Sequence, residues 1–372
     1  MNQPIDIIVS GHLCLDLLPK MAHIAPEALS SPGKLFEIGA LDISTGGAVS
    51  NTGLALHRLG AQVALMAGVG SDLLGQMILA FLRDRDPNLS RHIRVREGEQ
   101  SSYTIVLSPQ NIDRVFLHCT GTNATFGIAE IDYTLLERAK IFHLGYPPLL
   151  PRMYADEGRE LAHLFADAKA TGVVTSLDMS LPDRQAASGA ANWWRILERT
   201  LPHVDIFVPS IDEARFVLNQ GAIKKGAYDE GDISLAMLHS LTDVLFELGD
   251  MAIVGLKLGE QGMYLRSGSA ESLTRLRQRG VALGIAPGTH SYHPAFDVVV
   301  AGTTGAGDAA YGALLLALLR GFDLADCARW MCAIGACNVE AADATSGVRS
   351  WDQTQQRMDE GWQTVARSVP ET

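Results

Sequence analysis

The sequence predicts an α/β protein: a mostly parallel central sheet with helices on both faces, and a small separate β-sheet beside it. Three observations carry that expectation. Short apolar, β-branched runs alternate with longer segments of helical spacing, the order that builds parallel βαβ units. Between about residues 93 and 120 the period changes to two, which marks a hairpin instead of another such unit. Glycine-rich turns stand where runs of the first kind give way to the second, above all at Gly46-Gly47 and Gly305-Ala306-Gly307.

A chain of 372 residues, 47% hydrophobic and 19% charged, is long and apolar enough for one large core. Its net charge of −12 and pI near 5.3 argue against nucleic-acid or anionic-membrane partners. They leave room for a small anion held by local backbone amides. Cysteines 14, 119, 327, 332 and 337 are odd in number and form no Cys-x-x-Cys pair. Reduced thiols and a cytoplasmic location are therefore expected. The first residues lack the basic and apolar regions of a signal peptide, and the apolar stretch near 313–319 is too short to span a bilayer.

In chain order, Ile5–Ser10 reads as a buried strand closed by Gly11, with Asp16 just beyond it. Residues 13–18 and 35–43 read as extended segments. Gly46-Gly47 then opens a helix that carries Asn51 and closes at Gly60. Gln62–Ala67 is a strand, Gly68–Asp72 a turn and Leu73–Arg83 a helix. Tyr103–Ser108 and Arg114–His118 pair about a Pro109-Gln110-Asn111 turn. Joined to the segments at 13–18 and 35–43, this hairpin makes a small sheet, read as a lid over a site on the main body; the alternative is an antiparallel edge of the central sheet. Alternation resumes with strand Ile141–Leu144, a helix over 153–170 and strand Val173–Leu177 ending in Asp178. A helix near 192–200, strand Asp205–Val208 and a helix at 212–219 with Glu213 follow. Gly221–Gly231 reads as a polar loop and 233–248 as a helix. Met251–Leu256 and Met263–Leu265 read as strands around Lys257-Leu258-Gly259-Glu260-Gln261-Gly262. Residues 267–295 read as irregular, Val298–Ala301 as a buried strand, and the Ala/Leu run to Leu319 as a helix ended by Gly321. In the final helix, 323–342, Cys327, Cys332 and Cys337 read as small apolar packing residues, not metal ligands. The domain expectation is one α/β unit over 1–372, its lid formed discontinuously by about 12–45 and 93–122.

The turn Gly302-Thr303-Thr304-Gly305-Ala306-Gly307-Asp308 points to chemistry. A helix N-terminus attracts anions, because its first amides lack internal partners and its dipole is positive there. A carboxylate at the lip of such a cradle makes sense if it takes a proton from a hydroxyl attacking a phosphoryl group. Alone, Asp308 also reads as an ordinary first-turn acid and the glycines as a tight turn. The spacing to Gly312 breaks a dinucleotide turn, and no Gly-x-x-x-x-Gly-Lys-Ser/Thr occurs. Asp16, Gly46-Gly47, Asp178, Glu213, Lys257 and Asp308 all fall at or just after predicted strand ends, where open parallel sheets bind ligands.

These motifs, taken together and in this order, resemble the ribokinase-like, or PfkB-type, carbohydrate kinases over nearly the full chain. The matching pieces are Asp16, Gly46-Gly47 with Asn51, Gly68-x-Gly70-x-Asp72-x-x-Gly75, Pro209-x-x-x-Glu213, Leu258-Gly259-x-x-Gly262 and Thr304-Gly305-Ala306-Gly307-Asp308. The resemblance implies a three-layer α/β/α ribokinase-like fold with a β-sheet lid that often serves as a homodimer contact. It implies a kinase using ATP and Mg2+, with a primary hydroxyl of a sugar or sugar-like compound as acceptor. Asp308 would be the general base, and the amides of Gly305, Ala306 and Gly307 the anion hole. Asp16, Gly46, Gly47 and Asn51 would hold the acceptor. Separately from the resemblance, Arg114 is the lid cation that a phosphosugar acceptor would need, or else a solvated hairpin charge. Asp178, Lys257, Gly259, Gly262, Thr304 and Cys332 fall to the nucleotide, and Glu213 to magnesium, through water. Three departures stand out. Gly302 replaces an Asp that in some members helps bind an activating monovalent cation, so potassium dependence is not expected. Ser210 replaces an Asn ahead of Glu213, and Lys257 replaces a small hydroxyl residue. A nucleoside kinase, with Tyr103, Phe116 or Phe126 stacking on a base, and a non-catalytic sugar- or nucleotide-binding regulator are the alternatives on the same scaffold.

Overall fold

The computed structural model describes residues 4–110, 114–221, 233–366 and 369–370. Most of the chain before residue 178 builds one half of the central sheet and all of the small one. β1 (Ile5–Gly11) leads to β2 (Cys14–Pro19), β3 (Leu41–Gly46), α1 (Ala48–Arg58), β4 (Val63–Gly70) and α2 (Leu73–Arg85). Then come β5 (Ile93–Arg96), β6 (Tyr103–Leu107), β7 (Val115–Cys119), α3 (Tyr133–Leu136), β8 (Ala139–Gly145), α4 (Pro151–Tyr154), α5 (Arg159–Ala170) and β9 (Val174–Asp178). The second half adds α6 (Ala187–Ala190), α7 (Trp193–Thr200), β10 (Ile206–Phe207), α8 (Ile211–Leu218), α9 (Leu235–Glu247), β11 (Ile253–Lys257) and β12 (Met263–Ser267). It closes with α10 (Ala270–Arg277), β13 (His290–His293), α11 (Ala306–Leu319), α12 (Leu324–Val339) and α13 (Trp351–Asp359).

The central sheet runs β13-β12-β11-β10-β9-β8-β1-β4-β5, with β12 alone reversed, antiparallel to both β11 and β13. Its strands read as continuous apolar runs because helices cover both faces. One apolar cluster gathers α1, α11 and α12 on one face; the other gathers α5, α7, α8 and α9 on the opposite face. Helix α11 is apolar all round and buried from Asp308 to Leu318, as a helix sandwiched between α1 and α12 must be. Each of its fully buried leucines stabilises the fold by roughly 1.5–3 kcal/mol relative to exposure. The small sheet, β3-β2-β6-β7, is separate, with the expected hairpin β6–β7 laid parallel against β2.

Five expectations need correction. Ile93–Arg96, included in the lid, pairs in parallel with β4 at the edge of the central sheet. The extended segment placed at 35–43 forms a strand only from Leu41, and runs on to Gly46. The helix expected over 153–170 begins at Arg159, because Asp156, Glu157 and Gly158 take successive positive φ values of 48°, 52° and 74°. No i→i−4 ladder passes through such a run. Residues 267–295 are not uniformly irregular; they hold α10 and β13. Finally, Val298–Ala301 is not a strand. Val299 is 87% exposed and Val300 58%, and no strand among the described residues pairs with this run, so its β-branched side chains have no pleated surface to pack on. The loop expected at 221–231 and the tip of the hairpin turn lie almost wholly outside the described residues.

Candidate active site

The carboxyl ends of β1, β8, β9 and β11 face the same way and deliver His12, Tyr146, Asp178 and Lys257 to one region. Helix α11 brings Asp308 to it from the loop side. Asp308 is only 2% exposed. Its carboxylate accepts hydrogen bonds from Asn51 Nδ2 at 3.0 Å, Thr52 Oγ1 at 3.3 Å and the Tyr146 hydroxyl at 2.7 Å. Burial pushes its pKa up, against the pull of those donors and of Lys257. That places the group nearer working pH than an exposed aspartate, as a general base requires. Burial, with Asp308 and Asp178 close by, holds the Tyr146 hydroxyl well above its ordinary range, so it stays a donor.

Asp308 forms the floor of a cleft of about 750 Å³ together with Gly305, Ala306 and Gly307. Gly305 caps the helix at φ 75° without any side-chain cap, so the first amides have no partner inside the helix. Of these, the Ala306 amide makes one long turn bond, 3.4 Å to Thr303 O. Lys257 Nζ pairs with Asp178 Oδ1 at 2.6 Å, and both are buried. Burial disfavours the Lys257 charge, yet Asp178, Glu213 and Asp308 outweigh it and hold the ammonium above its usual range. One lysine among three carboxylates leaves the pocket short of positive charge, and burial with Glu213 and Asp308 pushes Asp178 upward despite Lys257. Asp178 Oδ2 is buried with no partner among the described residues. Glu213 sits in the first turn of α8, in a reciprocal cap: Ser210 N donates to its Oε2 at 2.7 Å, and Glu213 N to Ser210 Oγ at 3.2 Å. Ser210 thus still orients the carboxylate.

Most of the remaining predicted residues line this cleft or the region beside it. Gly259, Gly262 and Cys332 line the cleft. Gly262 is needed there, since a Cβ would stand 2.0 Å from His293 O. Thr304 is not on the cleft wall; its carbonyl accepts from Asn338 Nδ2 at 3.0 Å, and the wall position belongs to Thr303. Beside the cleft, a Cβ on Gly46 would stand 2.1 Å from Asp16 Oδ2, so Gly46 admits that carboxyl group, while a Cβ on Gly47 would meet His12 Nδ1 at 2.4 Å. Burial pushes Asp16 up to about 6, against hydrogen bonds from Cys14 and Thr104. His12, buried and lowered to about 3, touches His118 at 3.4 Å between their Nε2 atoms. Arg114, expected on the acceptor, donates to Thr303 Oγ1 at 3.1 Å and to Thr304 Oγ1, which ties the small sheet to the turn ahead of α11. The Gly68–Gly75 motif is structural: Asp72 caps α2 through Gly75 N at 2.9 Å and accepts from Ser101 Oγ at 2.6 Å. Phe126, a stacking candidate, is instead in the core, and Phe116 faces outward from β7.

Sequence reasoning missed Tyr146, Thr52 and His12. Tyr146 stands directly after β8, at one of the strand ends where open parallel sheets bind ligands, but Gly145-Tyr146-Pro147-Pro148 carries no motif that singles it out. It adopts φ 65°, ψ 48°, a left-handed conformation unusual outside glycine, which turns its ring toward Asp308.

A buried carboxylate at a helix N-terminus, an amide cup beside it and a paired lysine stand together at the ends of parallel strands on a three-layer α/β scaffold. The pattern described as pfkB family carbohydrate kinase matches residues 6–351, and the chain belongs to that family. It is 26% identical over 332 residues to fructokinase-1 of Zea mays, covering 85% of this chain and 84% of that protein. It is 24% identical to 2-dehydro-3-deoxygluconokinase of Bacillus subtilis (strain 168), covering 85% and 87%. The structure of Arabidopsis thaliana ribokinase complexed with ribose and ATP superposes with a TM-score of 0.73 at 16% identity, over 95% of this chain and 98% of that one. No helix among the described residues is long and apolar enough to cross a membrane.

Proposed function

We propose that this chain transfers the γ-phosphate of ATP to a primary hydroxyl of a sugar or sugar acid. The observation that carries the reading is Asp308, held by three donors at the floor of the cleft and flanked by the amides of Gly305 to Gly307. In this arrangement the acceptor hydroxyl takes the hydrogen-bonding place that Tyr146 now fills on Asp308 Oδ2. Asp308 removes the hydroxyl proton as the oxygen attacks, and the amide cup and Lys257 stabilise charge on the phosphoryl group in flight. Asp16, Gly47 and Asn51 orient the acceptor. The small sheet excludes water, which keeps ATP from idle hydrolysis.

Magnesium fits the residues present. Among the described residues no group of three His, Cys, Asp or Glu side chains is arranged to hold a metal unaided. Magnesium commonly keeps its waters and uses one or two carboxylates with substrate phosphates. The unpartnered Asp178 Oδ2 and the capped Glu213 suit that role. When bound there, the ion would neutralise phosphate charge. Phe126 in the core weakens the nucleoside-kinase reading. The exposed Val115, Phe116 and Leu117 of β7 favour a homodimer through the small sheet, which light scattering tests.

The experiment is an ADP-release screen with Mg-ATP over sugars, sugar acids, phosphosugars and nucleosides. Turnover with a sugar or sugar acid is expected. Nucleotide binding without ADP release for any acceptor would favour the regulator.

A further inference from the structure

The family match ends at residue 351, but the cleft does not. Val365 lies on its wall, beyond α13, together with Phe296 and Val298 from the loop ahead of α11. The segment that brings it there is pinned at several points. Asp297 N donates to Gln363 O at 2.9 Å, and Val365 N to Ala295 O at 2.9 Å, so the segment pairs edge to edge with the cleft wall. Trp362 stacks on Phe296 with centroids 4.4 Å apart, and its Nε1 donates to Asp297 O at 3.0 Å. The Arg357 guanidinium covers the other face of the anchor, 3.6 Å from the Trp362 ring centre, and pairs at 2.8 Å with Glu340 just after α12. Further on, Val369 is buried in the core and Pro370 O accepts from Leu235 N at 2.9 Å. The segment is therefore a strap, anchored on both sides of Val365.

The cleft lining is of two kinds. Lys257, Glu213, Asp308 and the amide cup are polar, while Phe296, Cys332, Ala336, Val339 and Val365 are apolar. A nucleoside triphosphate needs both kinds of surface, an apolar one for its flat base and a polar one for its phosphates. We propose that the strap at 360–366 forms one wall of the nucleotide-base subsite, with Val365 as a specificity-determining contact and Trp362 as the residue that positions it. This rests on the kinase reading above.

The test measures MgADP affinity by calorimetry, and KM for ATP and for the acceptor, in Val365→Trp and Trp362→Ala. A bulky ring at 365 fills the subsite and is expected to weaken MgADP about tenfold. Trp362→Ala, which loosens the strap without touching the subsite, is expected to weaken it about threefold. Acceptor KM stays within about twofold in both, because a base contact does not reach the acceptor. Trp362→Ala also guards against a Val365→Trp protein that fails to fold. Folded variants that bind MgADP like the parent overturn the proposal while leaving the kinase reading intact. A parallel rise in acceptor KM overturns it too, since the strap would then act on the whole cleft. A parent protein that turns over no ATP and binds no nucleotide removes the kinase reading itself, and this proposal with it.

Discussion

Helices α1 and α11 both begin at a glycine of positive φ, Gly47 at 86° and Gly305 at 75°, and neither start is capped by a side chain. They pack against each other, and Asn51 and Thr52 of α1 hold Asp308 of α11. Their entrances nevertheless differ. At α1 the protein closes over the turn: Val49 N donates to His12 O at 3.1 Å, and the His12 ring crowds Gly47. At α11 the N-cap is equally crowded, a Cβ on Gly305 standing 2.3 Å from Ala344 O, but the next turn residues border the cleft, and the nearest atom to a Cβ on Gly307 would be Lys257 Cδ, 3.6 Å away. One helix-start amide of α1 is thus taken by His12 O, while those of α11 border the cleft with a single long bond, Ala306 N to Thr303 O, among them. A glycine turn into a helix is therefore not a phosphate site until tertiary neighbours leave it open.

The comparison breaks most decisively at Asp308. Asp308→Asn is expected to lower turnover by about 10²–10⁴ with nucleotide affinity kept. Steady-state kinetics with calorimetry checks it, and unchanged turnover would remove the base from α11. Next come the two glycines. Gly307→Ala meets only ordinary contacts, so the fold should hold its melting temperature while turnover falls on the order of tenfold. Gly47→Ala sets a Cβ 2.4 Å from His12 Nδ1 and 2.5 Å from His12 O at a positive φ. It should destabilise the protein by about 1–3 kcal/mol, read as a lower melting temperature. Equal thermal losses in both would mean that the two entrances are equivalent after all.

A smaller effect sharpens the role of Tyr146. Its hydroxyl holds the Asp308 pKa down, so Tyr146→Phe lets that pKa rise further. A base works deprotonated and fails as pH falls through its pKa; the acid limb of kcat/KM should therefore move to higher pH. A pH–rate profile that does not move would make Tyr146 only a packing residue. The smallest expected effect is none: sodium, potassium and a bulky organic cation should support equal activity. A Cβ on Gly302 would already stand 2.8 Å from Ala342 O, so no carboxylate fits there to help hold a cation. Strong potassium activation would refute this.

The sequence by itself determined what local chemistry encodes. Positive-φ glycines followed by Ala/Leu-rich runs dictate the starts of α1 and α11, and alternation of period dictates a parallel sheet with a separate hairpin. Asp308 was legible because its carboxylate sits one turn into such a helix. Its partners were not. Asn51 and Tyr146 lie 257 and 162 positions away, and only packing of α1 and β8 against α11 makes them donors. The same limit explains the failure at Val298–Ala301: β-branched residues favour a strand, but a strand also needs a partner, and the chain sets this run unpaired and exposed beside the cleft. Propensity is carried by the residue; pairing, burial and the openness of a helix start are decided by what the rest of the chain places beside it.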